Sequence, residues 1–413
     1  MLLMPWARSG FVQRKTHRST SLTALSPSKG GTKNVPWLPD GCPVETMLNE
    51  DRLHQLTDLL GERGWDFLLL YGHSWRKDFF RCLVNLNFSG PHAAALVSRG
   101  GGVLVIVSDP WDYEAASAVE SASVSFEQNF GDGLRRWVGR ERSKTGGIAG
   151  MEFLEARLVD AVRQVIGSEP VSATAEVEEI RRVKSAEEIE HLQKAAELAD
   201  RGYQRFAEVI ETGMAEYELV AEVEAFLKSN GADDNFMLIA SGGTEVTGMK
   251  PPTERRFQKG DSVTTELTPQ VNGYWAQICR TLVLGEPSPE QLRAFSIFAE
   301  AQQAAQDLLR PGVNISDVAR VQNDVFRKYG FGQYTGPQYT RVRGHGLGLH
   351  LDENPYILEE VSYGVKEGMV LIPHPNTYLP LSGYMVFGDT LAVTADGCVS
   401  LNRAEKKLFQ KEG

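Results

Sequence analysis

The sequence predicts a small α/β domain followed by a larger α+β domain. Three observations carry this. Over residues 47–166 short apolar runs alternate with stretches of helical periodicity, the pattern of an α/β unit. Over 174–230 Ala, Glu, Leu and Lys recur at helical spacing. Over 235–404 strand-like segments and glycines dominate, with two long helical stretches between them. A chain of 413 residues has room for two or three domains. The boundaries read as 46–170 for the N-terminal α/β domain and 171–413 for the C-terminal domain, after a leader, 1–45, expected to be disordered.

Residues 49–63 read as a helix with Leu53, Leu56, Leu59 and Leu60 on one face and Asn49 as its cap. Residues 65–71 (WDFLLLY) read as a buried strand, and 92–97 and 102–107 as a hairpin turning across 98–101. Helices are expected at 111–121, 133–140 and 155–166, with a strand at 147–151. Residues 176–206 read as one long helix, and 215–229 as a second that stops at Asn230-Gly231. Strands follow at 261–267, 273–284, 369–372 and 390–393, with helices at 289–309 and 315–329.

Composition bounds the function. Hydrophobic residues make up 42% and charged residues 23%, enough for a core that needs no disulfide or metal staple. Lys plus Arg number 43 against 54 Asp plus Glu, a net charge of −11 that argues against nucleic-acid and anionic-membrane partners. Cys42, Cys82, Cys279 and Cys398 form no C-x-x-C pair, which argues against a zinc ribbon or a disulfide framework and fits a reducing cytoplasm. No apolar run approaches the roughly 18 residues of a membrane span. Residues 1–40 carry Arg8, Arg14, Lys15, Arg18, Lys29 and Lys33 against one acid, Asp40. They read as a leader or an early start codon, with a transit peptide as the alternative.

Two constellations carry chemistry. The first is Gly344-His345-Gly346-Leu347-Gly348-Leu349-His350-Leu351-Asp352-Glu353, with His374 downstream. Glycines on both sides of His345 let a ligand approach closely, and a histidine beside carboxylates suits acid–base work near neutral pH. The plain alternative is a solvated glycine-rich turn. The second is Gly260-Asp261 through Glu266, then Gly273-Tyr274, Gln277 and Arg280-Thr281. Strand alternation would point Glu266 and Gln277 inward, and a surface hairpin is the alternative.

The order of landmarks resembles the pita-bread proteins: creatinase, proline dipeptidase, aminopeptidase P and their relatives. The landmarks are Ile180-Arg181, Lys184 and Glu188-Ile189, then Ala240-Ser241-Gly242 and Gly260-Asp261. They continue with Gly273-Tyr274, Arg280-Thr281, Gly344-His345-Gly346-x-Gly348, Gly368-Met369-Val370 and Asp389-Thr390, and order and spacing agree over about 47–404. The resemblance implies an active site in the C-terminal domain and a homodimer in which one subunit's N-terminal domain helps close its partner's site. Peptidases of this family hold two metal ions with Asp, Asp, His, Glu and Glu. Those positions fall here on Glu266, Gln277, His345, His374 and Gly388, so a dinuclear centre is not expected. The general-base histidine of creatinase falls on Met249, and a second family histidine on Asp352, so that mechanism does not carry over either.

The expected catalytic set is therefore His345, His374, Glu266, Asp352 and His350. His345 and His374 are the candidate bases, and Glu266 orients one imidazole or takes its proton. Expected substrate contacts are Gln277, Glu353, Arg341, Arg343 and Tyr384, with Arg76 or Arg81 of the N-terminal domain reaching across a dimer. Arg280 is expected to be structural. The function expected is hydrolysis of a C–N bond in a small polar amide, amidine or guanidino compound, without a cofactor. The alternatives are one divalent ion held by Glu266, His345 and His374, a lyase reaction in the same cavity, and a non-catalytic domain that binds peptides or proteins.

Overall fold

The structure, a computed structural model, describes residues 48–119, 121–140 and 145–412. The leader and Cys42 lie outside them. The first helix, Glu50–Arg63, starts where the Asn49 side chain accepts a hydrogen bond from the Arg52 amide and ends on Gly64 in the left-handed region (φ 66°). Its buried Leu56 and Leu60 pack with Leu68 and Leu70 of the strand Phe67–His73. The intervening Phe67, Leu69 and Tyr71 face the opposite way, onto Leu134 of the helix Phe130–Arg140 and Leu158 of the helix Ala156–Ile166. A strand covered on both faces must read as a continuous apolar run, which is why FLLLY does.

This strand is central in a six-stranded sheet. Its order is Ser123–Phe126, Val103–Val107, His92–Ser98, Phe67–His73, Gly146–Ala149, Val171–Ser172. The hairpin 92–107 is present as expected. The last strand shifts the boundary drawn at 170/171, because Val171–Ser172 still pairs with Gly147 and Ile148 of the first sheet. The strand Ser123–Phe126 was not foreseen, and the helix expected at 111–121 runs only over Pro110–Ala116.

The single helix expected at 176–206 is two, Thr174–Arg182 and Ala186–Val209. Ser185 and Glu188 form a capping box that restarts the helix, satisfying two amides a continuous helix would not expose. Glu188 also takes Arg52 (2.5 Å) and the Tyr274 hydroxyl (3.1 Å), which ties the break to the first helix and to the second sheet.

The C-terminal part has a six-stranded sheet with the main order Gly388–Asp389, Ile278–Leu284, Ser262–Val271, Asp234–Gly242. A four-stranded sheet runs Gly344–Gly346, Val370–Pro373, Leu391–Val393, Cys398–Ser400, and Asn376–Leu379 pairs with Gly383–Val386 as a hairpin. Arg280 and Asp389, one from each of two paired strands, form a fully buried ion pair at 2.6 Å, and Arg280 also donates to the Gly388 carbonyl, so its role is structural as expected. Among the described residues Cys82, Cys279 and Cys398 are free, and no helix is long and apolar enough to cross a membrane.

Candidate active site

A cavity of about 480 Å³ lies where the six-stranded and four-stranded sheets meet. Four of the residues expected to do chemistry, Glu266, His345, Asp352 and His374, line it together with Gln277, Arg341 and Tyr384. Glu266 is mid-strand in Ser262–Val271, opposite Cys279. Gln277 precedes the strand Ile278–Leu284 and is pinned by Thr390, whose hydroxyl meets both its amide (2.9 Å) and its carbonyl (2.8 Å). His345 is the middle residue of Gly344–Gly346, in register with Ile372, so the segment that ends in His374 runs beside it. The two imidazoles meet edge to face with centroids 5.2 Å apart.

The electrostatics separate these groups. His345 Nδ1 lies 2.9 Å from the Gly346 carbonyl and 3.7 Å from Asp352 Oδ1. Both neighbours only accept, so Nδ1 carries the proton and Nε2 keeps the lone pair. Burial lowers the pKa of His345 in spite of the opposing Asp352 charge, which keeps the ring neutral. His374 is lowered further, by burial and then by His345 and Arg341. Burial pushes Glu266 up to about 7; Arg341 opposes this and Asp352 adds to it. Asp352 Oδ2 is bound to Arg341 at 2.6 Å, and among the described residues its Oδ1 has no hydrogen-bond partner.

Five expected residues do not line this cavity. His350, Glu353 and Arg76 line a separate chamber of about 240 Å³, and Asp352 borders both. Glu353 is not a substrate contact, because Arg181 (2.6 Å) and Lys184 (3.0 Å) occupy its carboxylate. Burial pushes its pKa up, but the two cations more than reverse this and hold it at about 2. The His350 ring is turned to the Asp352 backbone, with Nδ1 3.1 Å from its carbonyl. Arg76 is held by Asp78 at 2.8 Å over the Phe153 ring. Arg81 is buried, donates to Asn85 at 2.6 Å, and is capped by Gly273, where a β-carbon would fall 2.3 Å from its Cζ. Arg343, 1% exposed, donates to Asn323 Oδ1 at 2.6 Å and to the Asn376 carbonyl, and it does not line the cavity.

Several lining residues were not singled out: Asn376, Thr340, Gln338, Phe236 and Leu238. They are ordinary strand and loop residues, and only the tertiary fold brings them to the cavity. Met249 does line it, and its thioether is no proton acceptor at the position where creatinase has its base.

The positions that hold two metal ions in the family's peptidases do not suit them here. Glu266 is the only carboxylate on those five positions, and it keeps its proton up to near neutrality. Gln277 turns its amide to Cys279 Sγ at 3.3 Å. Gly388 has no side chain, and none would fit, since the His374 and Pro373 backbone fills the space. Two hard divalent ions need several anionic oxygens. Among the described residues no group of three or more His, Cys, Asp or Glu is disposed to hold a metal ion, and this includes the trio Glu266, His345 and His374.

Residues 190–395 match the model of metallopeptidase family M24. An Xaa-Pro dipeptidase of Pyrococcus furiosus is 32% identical over 235 residues, which cover 56% of this chain and 66% of the relative. The chain thus spans just under two thirds of that curated relative's length. An uncharacterized peptidase of Bacillus subtilis is 28% identical over 370 residues, covering 87% of this chain and 99% of the relative. Among solved structures, an Xaa-Pro dipeptidase from Bacillus anthracis superimposes with a TM-score of 0.77 at 25% identity, covering 88% of this chain and 99% of its own. The prolidase from Pyrococcus furiosus does so with a TM-score of 0.71 at 26% identity, covering 84% and 99%. The two-part α/β and α+β architecture, the ordered landmarks and these matches agree: the chain belongs to the pita-bread fold family and carries its metallopeptidase M24 domain over residues 190–395.

Proposed function

We propose that this chain is a hydrolase that cleaves a C–N bond in a small polar amide, amidine or guanidino compound, using side-chain acid–base chemistry in place of a metal pair. The observation that supports it is the pairing of unlike groups across one cavity. His345 is neutral, with its lone pair on Nε2, because the Gly346 carbonyl, which can only accept, meets Nδ1 at 2.9 Å. Glu266 retains its proton near neutral pH. Two titratable groups pushed apart by their surroundings are what a base and an acid require. His345 Nε2 takes a proton from water, the hydroxide formed adds to the substrate carbon, and Glu266 protonates the departing nitrogen. Asp352 steadies the His345 imidazolium. The names of the relatives support the bond type, since an Xaa-Pro dipeptidase hydrolyses a peptide C–N bond.

A homodimer is part of this proposal. Trp75, 93% exposed on the turn that carries Arg76, is the surface feature that supports it.

The test is a panel of Xaa-Pro dipeptides, N-acyl amino acids, amidines and guanidino acids, incubated with the full chain in chelator and in added Mn²⁺ or Co²⁺. Amine or ammonia release is read by mass spectrometry. Turnover in chelator that is lost in His345→Ala supports the proposal. Turnover that appears only with two bound ions per chain refutes it, and so does no turnover of any compound, which leaves a binding domain.

A further inference from the structure

We infer that the chamber of about 240 Å³ beside the cavity is a binding site for a small zwitterionic amino acid, whose carboxylate meets Arg76 and whose ammonium meets Glu178. The site goes beyond the hydrolase reading and does not depend on it.

The charges around this one space do not cancel locally. Two carboxylates in its wall, Asp78 and Glu353, are buried, and three cations share them. Arg181 reaches Asp78 at 2.7 Å and Glu353 at 2.6 Å, Lys184 reaches Glu353 at 3.0 Å, and Arg76 reaches Asp78 at 2.8 Å. The cluster thus carries one positive charge in excess. Asp352 does not answer it, because Arg341 takes that carboxylate at 2.6 Å. Glu152 does not line the chamber and accepts from the Ser172 and Thr174 hydroxyls.

The excess falls on Arg76, whose side chain is 24% exposed against 4% for Arg181 and 3% for Lys184. Its Nε (2.8 Å) and Nη2 (3.4 Å) face Asp78, and its guanidinium lies over the Phe153 ring at 4.3 Å. Among the described residues Nη1 has no acceptor. A guanidinium held in place with donors to spare suits a carboxylate.

Glu178 is the opposite case. It lies three residues before Arg181 on the helix Thr174–Arg182, and both line the chamber. Its carboxylate accepts a long hydrogen bond from Asn354 (3.3 Å) and, among the described residues, is in no ion pair. One open cation and one open anion in the same wall match a molecule that carries one of each. A simple anion leaves Glu178 unanswered, and a simple amine leaves Arg76 unanswered. The volume is below the roughly 300 Å³ where drug-sized ligands begin, so the occupant has few heavy atoms. Asp352 borders both spaces, so that occupant shares a wall with the cavity.

Binding is read without any turnover. Full-length protein is titrated with glycine, β-alanine and γ-aminobutyrate, which step the separation of the two charges, and followed by calorimetry and saturation-transfer NMR. At least one is expected to bind. Acetate, with only the carboxylate, and ethylamine, with only the ammonium, are expected to bind roughly tenfold or more weakly. Glu178→Gln is expected to weaken the amino acid by a similar factor and to spare acetate; Arg76→Gln is expected to weaken it and to spare ethylamine. Circular dichroism and urea unfolding confirm that each variant folds. If Arg76→Gln does not fold, Glu178→Gln decides, since its side chain holds only Asn354. The inference is overturned if none of the three amino acids binds, if acetate or ethylamine binds as well as the best of them, or if either folded variant binds it unchanged.

Discussion

Gly388 lies so close to His374 that a β-carbon added to it would sit 2.7 Å from the His374 Cβ and 2.8 Å from the Pro373 carbonyl oxygen. The second contact is to backbone and cannot swing away. Across the same segment, a β-carbon on Gly344 would fall 2.2 Å from the Ile372 carbonyl oxygen. The chain leading to His374 is thus pressed between two glycines, and this brings its ring to His345. Gly388→Ala is expected to destabilise the fold by about 1–3 kcal/mol through overpacking, measured by urea unfolding. Gly388→Glu is expected to add no tightly bound metal, because the new carboxylate must displace the strand before it can reach an ion. Elemental analysis after dialysis against Mn²⁺ checks this, and two ions per chain would refute the steric argument.

Glu266 should leave a mark on the pH dependence of both stability and rate. Its carboxyl titrates at about 7 in the fold and near 4.3 in an unfolded chain. Between those values the native state binds the extra proton, so stability falls as pH rises from roughly 4 to 7. The shift corresponds to about 4 kcal/mol. Glu266→Gln should remove that slope, measured as the difference between two urea-unfolding series over this range. The rate should rise as His345 loses its proton, below the usual histidine range, and fall as Glu266 loses its own near 7.

How much of this was legible depended on how local the cause was. The Asn49 cap and the leucine face of Glu50–Arg63 were plain because helix periodicity and capping act within a few residues. The break at Val183–Ser185 was missed because no Gly or Pro marks it, and the Ser185–Glu188 capping box was submerged in helix-forming composition. The strand Asp234–Gly242 was missed because its start is solvent-facing and its apolar run, Phe236 to Ala240, is short and shows no strict alternation. At the site, the convergence of Glu266, Gln277, His345 and His374 followed from the ordered landmarks. Arg343 and Glu353 were misread because their partners lie on distant segments: Asn323 and Arg181. A charge in a sequence does not declare whether it meets a substrate or another charge.

Glu353 makes that distinction measurable. It holds Arg181 and Lys184, both buried, and Arg181 also reaches Asp78 of the N-terminal part at 2.7 Å. Glu353→Gln leaves two buried cations short of a counter-charge and is expected to destabilise the fold by about 3–5 kcal/mol. Because the folded pKa is depressed to about 2, this stabilisation is present above roughly 4.3 and is lost as pH falls toward 2. A substrate contact would instead raise KM and leave unfolding unchanged.

Asp352 joins the exposed Arg341 guanidinium to the buried His345 ring, with Oδ2 on one and Oδ1 3.7 Å from the other. Among the described residues the Oδ1 atom has no hydrogen-bond partner, so closing that gap by a few tenths of an ångström would give it one. As His345 accepts a proton at Nε2, positive charge develops on the ring and the carboxylate draws in. Asp352→Asn keeps the shape, removes the charge, and can turn an amide N–H toward Nδ1, which would shift the ring proton to the wrong nitrogen. The rate is then expected to fall on the order of 10²-fold or more, with KM and the circular dichroism spectrum little changed. If instead KM rises and kcat holds, Asp352 serves Arg341 and substrate binding, and His345 works without it.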